Sequence, residues 1–231
     1  MSLLTNLVSY YKFDENTGTT VGDSVGSNTG TWDGSPSGQW TTGKINSGGY
    51  IDGNLNHVTI PDSPSLDFTT AVSISCWIYK SDLAGNRDII SKRSAWGTTS
   101  IPFELTTDGT NISWRVIGNS TYPTLNASLV INTWYHIVAT WDGTTQYIYV
   151  NGSSIGSTSR TGTITTNTTA VEIGMLPGGG ENFLGTIDEV GIWSRALTST
   201  EVTTLYNSGA GLQYPFTTSS FIPRLSLLGM G

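Results

Sequence analysis

Three oxygen-bearing residues, Asp14, Asp23 and Asn28, fall on one glycine-rich stretch, DENTGTTVGDSVGSNTGTWDG. Gly18, Gly22, Gly26 and Gly30 there free the backbone to turn carbonyls toward a common centre. Carboxylate, amide and carbonyl oxygens together suit a hard cation such as calcium, which takes roughly six to eight of them. Asp188 adds a second argument. In the run GTIDEVGIW, alternation sets it on the face of Val190 and Ile192, so its carboxylate needs compensation among apolar neighbours. The same groups also have a plainer role, as Asx-turns at Asp14, Asp23 and Asn28 and as a backbone acceptor at Asp188.

A second chemistry is sugar binding, in which aromatic rings meet the apolar faces of neutral sugars and Asn, Asp or Thr groups meet their hydroxyls. Trp96 in KRSAWGTTS, Tyr122 in NSTYPT and Trp40 before TTGK are the loop aromatics suited to it. Trp77, Trp114, Trp134, Trp141 and Trp193 stand in or beside strand-like runs and are read as packing residues.

Catalysis has little to stand on. A retaining glycosidase needs two carboxylates about 5 to 5.5 Å apart. Glu104 and Glu172 are isolated acids, and alternation turns the adjacent Asp188 and Glu189 to opposite faces. His57 and His136 are the only imidazoles, and no zinc cluster or phosphate loop accompanies them. Lys and Arg total 10 against 17 Asp and Glu, a formal charge of −7, which argues against a nucleic-acid partner. No signal peptide and no membrane span are expected.

The elements that must position these residues are short strands. LVSYYKF, VSISCWIYK, DIISKR, FELTTDG, NISWRVIG, YIYVNG, AVEIGM and GTIDEVGIW are apolar or alternating runs bounded by turn residues. HIVATWDGTTQYIYVNG reads as a hairpin turning at Asp142–Thr145. Cys76, the single cysteine, lies in an apolar run and is expected to be buried. ALTSTEVTTLYN is the one helical piece, capped by Thr198 or Ser199.

The ordered series YYKFDENTG, GKINSGGYID, VTIPDSPSLDF, VSISCWIY, WYHIVATWDG, YIYVNG and NFLGTIDEVGIWSRALTSTEVTTLYN resembles the laminin-G-like jelly-roll domains of the concanavalin A-like lectin/glucanase superfamily. The last block, a strand, an Arg-Ala-Leu turn and a short helix, carries most of the resemblance. It implies an all-β, two-sheet antiparallel jelly-roll sandwich with a short edge helix near residues 198–207. It also implies a structural calcium ion held by Asp14, Asp23, Asn28 and Asp188. The fold serves many functions, so it does not select one.

Residues 1–209 are read as the jelly-roll domain and 210–231 as an apolar extension. Phe216, Phe221, Ile222, Leu225, Leu227 and Leu228 there are candidates for assembly contacts. The leading expectation is a non-enzymatic structural or adhesive protein on the surface of a virus or phage particle. Its partners would be other virion proteins or further copies of itself, with host glycans as ligands. The alternative is a calcium-stabilised carbohydrate-binding lectin domain of cellular or extracellular origin. A glycoside hydrolase comes third.

Overall fold

The computed structural model describes residues 2–34, 38–94, 101–117 and 123–217. Branched and aromatic residues in short runs give the strands β1 (Leu7–Tyr11), β2 (Thr20–Val21), β3 (Gly30–Asp33), β4 (Trp40–Thr42), β5 (Ser47–Asp52), β6 (His57–Ile60), β7 (Val72–Lys80) and β8 (Asn86–Lys92). They continue as β9 (Phe103–Asp108), β10 (Asn111–Val116), β11 (Thr124–Asn126), β12 (Trp134–Trp141), β13 (Thr145–Val150), β14 (Ser153–Ser159), β15 (Val171–Ile173) and β16 (Leu184–Trp193).

One antiparallel sheet runs in the order β14, β13, β12, β7, β16, β5, β4, with β1 paired to the second half of β16. The other runs β11, β10, β9, β8, β15, β6, β3, β2. The core between them takes Ile74, Ile78 and Ile137 from the first sheet and Val58, Ile90 and Leu105 from the second. This is the jelly-roll sandwich that the sequence implies. Along β7, Val72, Ile74, Cys76 and Ile78 join the core, which leaves Ser73, Ser75, Trp77 and Tyr79 on the outer face. The expected hairpin is present: Asp142 Oδ1 accepts the N–H groups of Thr144 and Thr145 between β12 and β13.

The helix α1 (Ser199–Tyr206) begins at Thr198, which forms a capping box with Glu201, and ends at Asn207 in the left-handed conformation. Val202 and Leu205 pack it on the outer face of the first sheet, against a cluster containing Val138, Tyr149 and Trp193. No helix among the described residues is long and apolar enough to cross a membrane.

The packed domain does not stop at Gly209. Leu212 joins the cluster under α1, and Phe216 lies edge-on to Tyr10 with ring centroids 5.2 Å apart and beside Trp193 at 6.4 Å. Residues 210–217 therefore cover aromatic surface that the outer face would otherwise expose, and Phe216 is a contact within the fold. Phe221, Ile222, Leu225, Leu227 and Leu228 lie outside the described residues.

Candidate functional site

Alternation fails in the middle of β16. Its pairing with β7 slips between Asp188 and Gly191, and Glu189 adopts a φ of 51°. A β-bulge of this kind sets two residues against one and changes the phase of the strand. Ile187, Val190 and Ile192 all join the core, while Asp188 and Glu189 both make their contacts on the outer side. Two expectations are thereby corrected: Asp188 does not share the face of Val190 and Ile192, and the two acids do not diverge. Asp188 Oδ2 accepts the backbone N–H of Lys44 at 2.8 Å and of Ile45 at 3.0 Å, and Oδ1 accepts that of Glu189. Glu189 accepts the Tyr10 hydroxyl and the Gln213 amide. Burial, and then the charge of Glu189, push the Asp188 carboxyl up to about 9. Burial pushes Glu189 up to about 7, against the hydrogen bonds from Tyr10 and Gln213.

The other expected calcium ligands are engaged in the same way. Asp23 accepts the N–H groups of Tyr10 and Val25 on one oxygen and of Asn28 on the other. Asn28 donates to the hydroxyls of Ser9 and Ser65. Asp14 accepts from Ser47 on Oδ1 and from Asn46 and Gln213 on Oδ2. Every carboxylate oxygen of Asp14, Asp23 and Asp188 thus faces a donor of the chain. Among the described residues no three His, Cys, Asp or Glu side chains converge as metal ligands. The four residues do not fit a calcium ion in this arrangement.

The second sheet holds a different set of charges. Glu104 on β9 is fully buried between the guanidinium groups of Arg93 and Arg115. Asp88 on β8 pairs with Thr106, two residues along the same strand from Glu104. It too is fully buried, with the Ser91 hydroxyl to act on it. Burial, and then the charge of Glu104, raise its carboxyl well above the usual range, with Ser91 and Arg93 pulling the other way. The sequence shows Glu104 as an isolated acid, and only the β8–β9 pairing reveals its neighbour. A buried carboxyl close to a second one held by two guanidinium groups is a pairing that acid–base chemistry uses. Both groups have no exposed surface in this structure.

Accessible aromatic surface lies on the first sheet. Tyr79 on β7 pairs directly with Trp134 on β12, ring centroids 5.5 Å apart and planes at 52°. Thr186 on β16 pairs with Tyr79 from the other side. Together with Thr41, Thr42 and Gly43 these residues line an open hollow of about 280 Å³. Both rings are half-buried, and Thr41 and Thr42 are exposed. Two residues along each strand, Trp77 and His136 lie under Tyr206 of α1. Trp134 begins a strand, so the sequence assigns it to packing. The available signal was that Tyr79 and Trp134 share the outward phase of two strands whose core residues are plain.

Of the aromatics expected to meet a ligand, Trp40 is half-buried against Phe13 and Trp32, and its indole N–H donates to the Gly18 carbonyl at 3.0 Å. Trp96 and Tyr122 lie outside the described residues. A larger hollow of about 530 Å³ opens between residues 2–4, the start of α1 and Phe216. Its one charged group, Glu201, is taken by Arg195.

These features define a jelly-roll domain of the laminin-G type. Residues 52–203 match the family described as the Concanavalin A-like lectin/glucanases superfamily, and the chain belongs to it. No curated protein matches the chain. Among solved structures, the binding domain of Paraclostridial Mosquitocidal Protein 1 is similar at 20% identity and a TM-score of 0.70, over 90% of this chain and 53% of that one. Domain 4 of AbnA, an extracellular arabinanase of Geobacillus stearothermophilus in complex with arabinotriose, is similar at 21% identity and a TM-score of 0.67, over 86% of this chain and 97% of that one. The binding domain of botulinum neurotoxin serotype G gives 19% identity and a TM-score of 0.68, over 87% and 50%. The chain thus spans about half the length of these two toxin domains and nearly all of the arabinanase domain. At such identities the likeness is one of fold.

Proposed function

We propose that the chain is a non-catalytic carbohydrate-binding domain acting outside the cell, on a cell-surface glycan or a polysaccharide. The observation that carries this reading is the open hollow in which Tyr79 and Trp134 present paired rings beside the hydroxyls of Thr41, Thr42 and Thr186. Rings of this kind take the C–H face of a sugar, and the threonines exchange hydrogen bonds with its hydroxyls. The hollow suits about one sugar ring. Roughly 12 non-hydrogen atoms at about −0.3 kcal/mol each come to about −4 kcal/mol, a dissociation constant near 1 mM. Useful attachment then depends on several sites acting together.

The arabinotriose complex of the arabinanase domain and the binding role of the toxin domains support this reading. An adhesive domain on a viral or phage particle would use the same surface. Toxin and arabinanase domains are among the similar structures, which favours the extracellular reading over that one.

The test is a titration of the full chain with arabinotriose and a panel of neutral and acidic oligosaccharides, followed by chemical shifts. Binding should be lost on Trp134→Ala and weakened on Tyr79→Phe. Absence of binding to every sugar, or binding indifferent to Trp134→Ala, overturns the reading. Hydrolysis abolished by Glu104→Gln would replace it with an enzymatic one.

A further inference from the structure

We propose that the hollow at Tyr79 and Trp134 selects sugars that carry a carboxylate, with the Lys44 ammonium receiving it. This deepens the glycan reading and rests on it.

Cations in this acidic chain are mostly neutralised internally. Arg87 pairs with Asp82, Lys92 with Asp62 and Asp67, and Arg195 with Glu201. Glu104 takes both Arg93 and Arg115. Lys80 is buried against the Thr107 hydroxyl. Lys44 is different. Its Nζ lies 4.5 Å above the centroid of Trp77, and among the described residues it forms no ion pair. An ammonium held against a ring keeps N–H donors free on its outer side.

Its position relates it to the hollow. Lys44 follows Gly43, which lines the hollow, and Trp77 stands two residues before Tyr79 on the same face of β7. Two residues of strand span about 7 Å, somewhat more than a sugar ring. A ring stacked on Tyr79 therefore presents an exocyclic carboxylate toward Nζ. The root of Lys44 is fixed as well, because its backbone N–H and that of Ile45 donate to Asp188 Oδ2. Asp188 and Glu189, the acids nearest this loop along β16, are buried and face chain donors, and the half-buried Asp14 carboxylate is taken by Asn46, Ser47 and Gln213, so among the described residues no acid of this loop claims the Lys44 ammonium.

The test compares methyl glucuronide with methyl glucoside, and methyl galacturonide with methyl galactoside, titrated by chemical shift into the full chain at low and at 0.5 M salt. One uronide should bind about 3- to 10-fold more tightly than its neutral parent at low salt, as expected for a partly screened ion pair. High salt should erase the difference. Lys44→Gln should bring the ratio to about one and leave the neutral affinity as it was, while Lys44→Arg keeps the preference. A ratio at or below one in the wild type, or a preference untouched by Lys44→Gln, overturns the proposal while leaving the glycan reading intact. If none of the four sugars shifts Tyr79 or Trp134 resonances and arabinotriose does, the carboxylate preference falls alone. If arabinotriose also fails, both fall.

Discussion

Gln213 Nε2 stands 2.6 Å from Glu189 Oε1, and the same amide reaches Asp14 Oδ2 at 2.9 Å. One side chain of the C-terminal segment thus joins the bulge of β16 to the loop after β1. Gln213→Ala removes both donors and leaves the Glu189 carboxylate short of a partner. A loss of about 1–3 kcal/mol is expected. Thermal unfolding measures it, and faster hydrogen exchange confined to residues 210–217 would show that the segment is released.

Glu189 also makes stability depend on pH. Its folded carboxyl is raised to about 7, from an ordinary 4.5, chiefly by burial. The folded state therefore holds this proton more tightly than the unfolded chain. Its stabilising contribution is complete below about pH 4.5 and disappears as pH rises through 7. The change is at most about 3 kcal/mol. Glu189→Gln should flatten this part of the curve of unfolding free energy against pH, whereas an unchanged slope would assign it to other acids.

Asp88 and Glu104 should respond in opposite ways to removal of charge. Glu104 is buried between Arg93 and Arg115, so Glu104→Gln removes the charge that pairs with both guanidinium groups. A cost of about 3–5 kcal/mol is expected. The Asp88 carboxyl is raised by burial and then by the charge of Glu104. Its contribution is present at low pH and is lost as pH rises through its raised value. Asp88→Asn should accordingly gain stability relative to the wild type on going from pH 4 to pH 8. Denaturant titrations at the two pH values decide this.

The fold was legible because most strands obey simple alternation. The apolar positions of β7 and the Asp-Gly turn after Trp141 state their own roles. Thr198 and Glu201 announce the start of α1 three residues apart. The site was less legible because it depends on exceptions and on pairing. One bulged residue, Glu189, reverses the face of Asp188, and no composition rule marks that position. Tyr79 meets Trp134, and Asp88 approaches Glu104, only once strands distant in sequence are in register. Leu212 and Phe216 looked like the start of a tail because the surface they cover, around Tyr10 and Trp193, is formed by the opposite end of the chain.

Chelation should leave the protein unchanged. Backbone and side-chain donors already satisfy Asp14, Asp23 and Asp188. Thermal midpoints with excess EDTA and with millimolar calcium should agree within about 2 °C, less than 1 kcal/mol for a chain of this size. A rise of several degrees with calcium would mean that these carboxylates exchange their N–H partners for the ion.

Arg195 explains why the Arg-Ala-Leu turn accompanies the helix. Its guanidinium donates to both Glu201 oxygens at 2.7 and 2.8 Å, to the Thr5 carbonyl at 2.8 Å and to the Ser2 carbonyl at 3.2 Å. One planar group therefore ties the N-terminal residues to the first turn of α1. Lysine keeps the charge but cannot match this fork, so Arg195→Lys should cost about 2–3 kcal/mol. Burial works against ionisation of Glu201, but hydrogen bonds from Arg195 and Thr198 outweigh it and hold the carboxyl below its usual range. A lowered carboxyl contributes stability above the ordinary value near 4.5 and loses it as pH falls through the lowered one. The wild type and Arg195→Lys should thus differ most at neutral pH and converge in acid, as unfolding measured from pH 7 down to 3 would show. A difference that stays constant across that range would mean that Arg195 acts through the carbonyls of Ser2 and Thr5 rather than through Glu201.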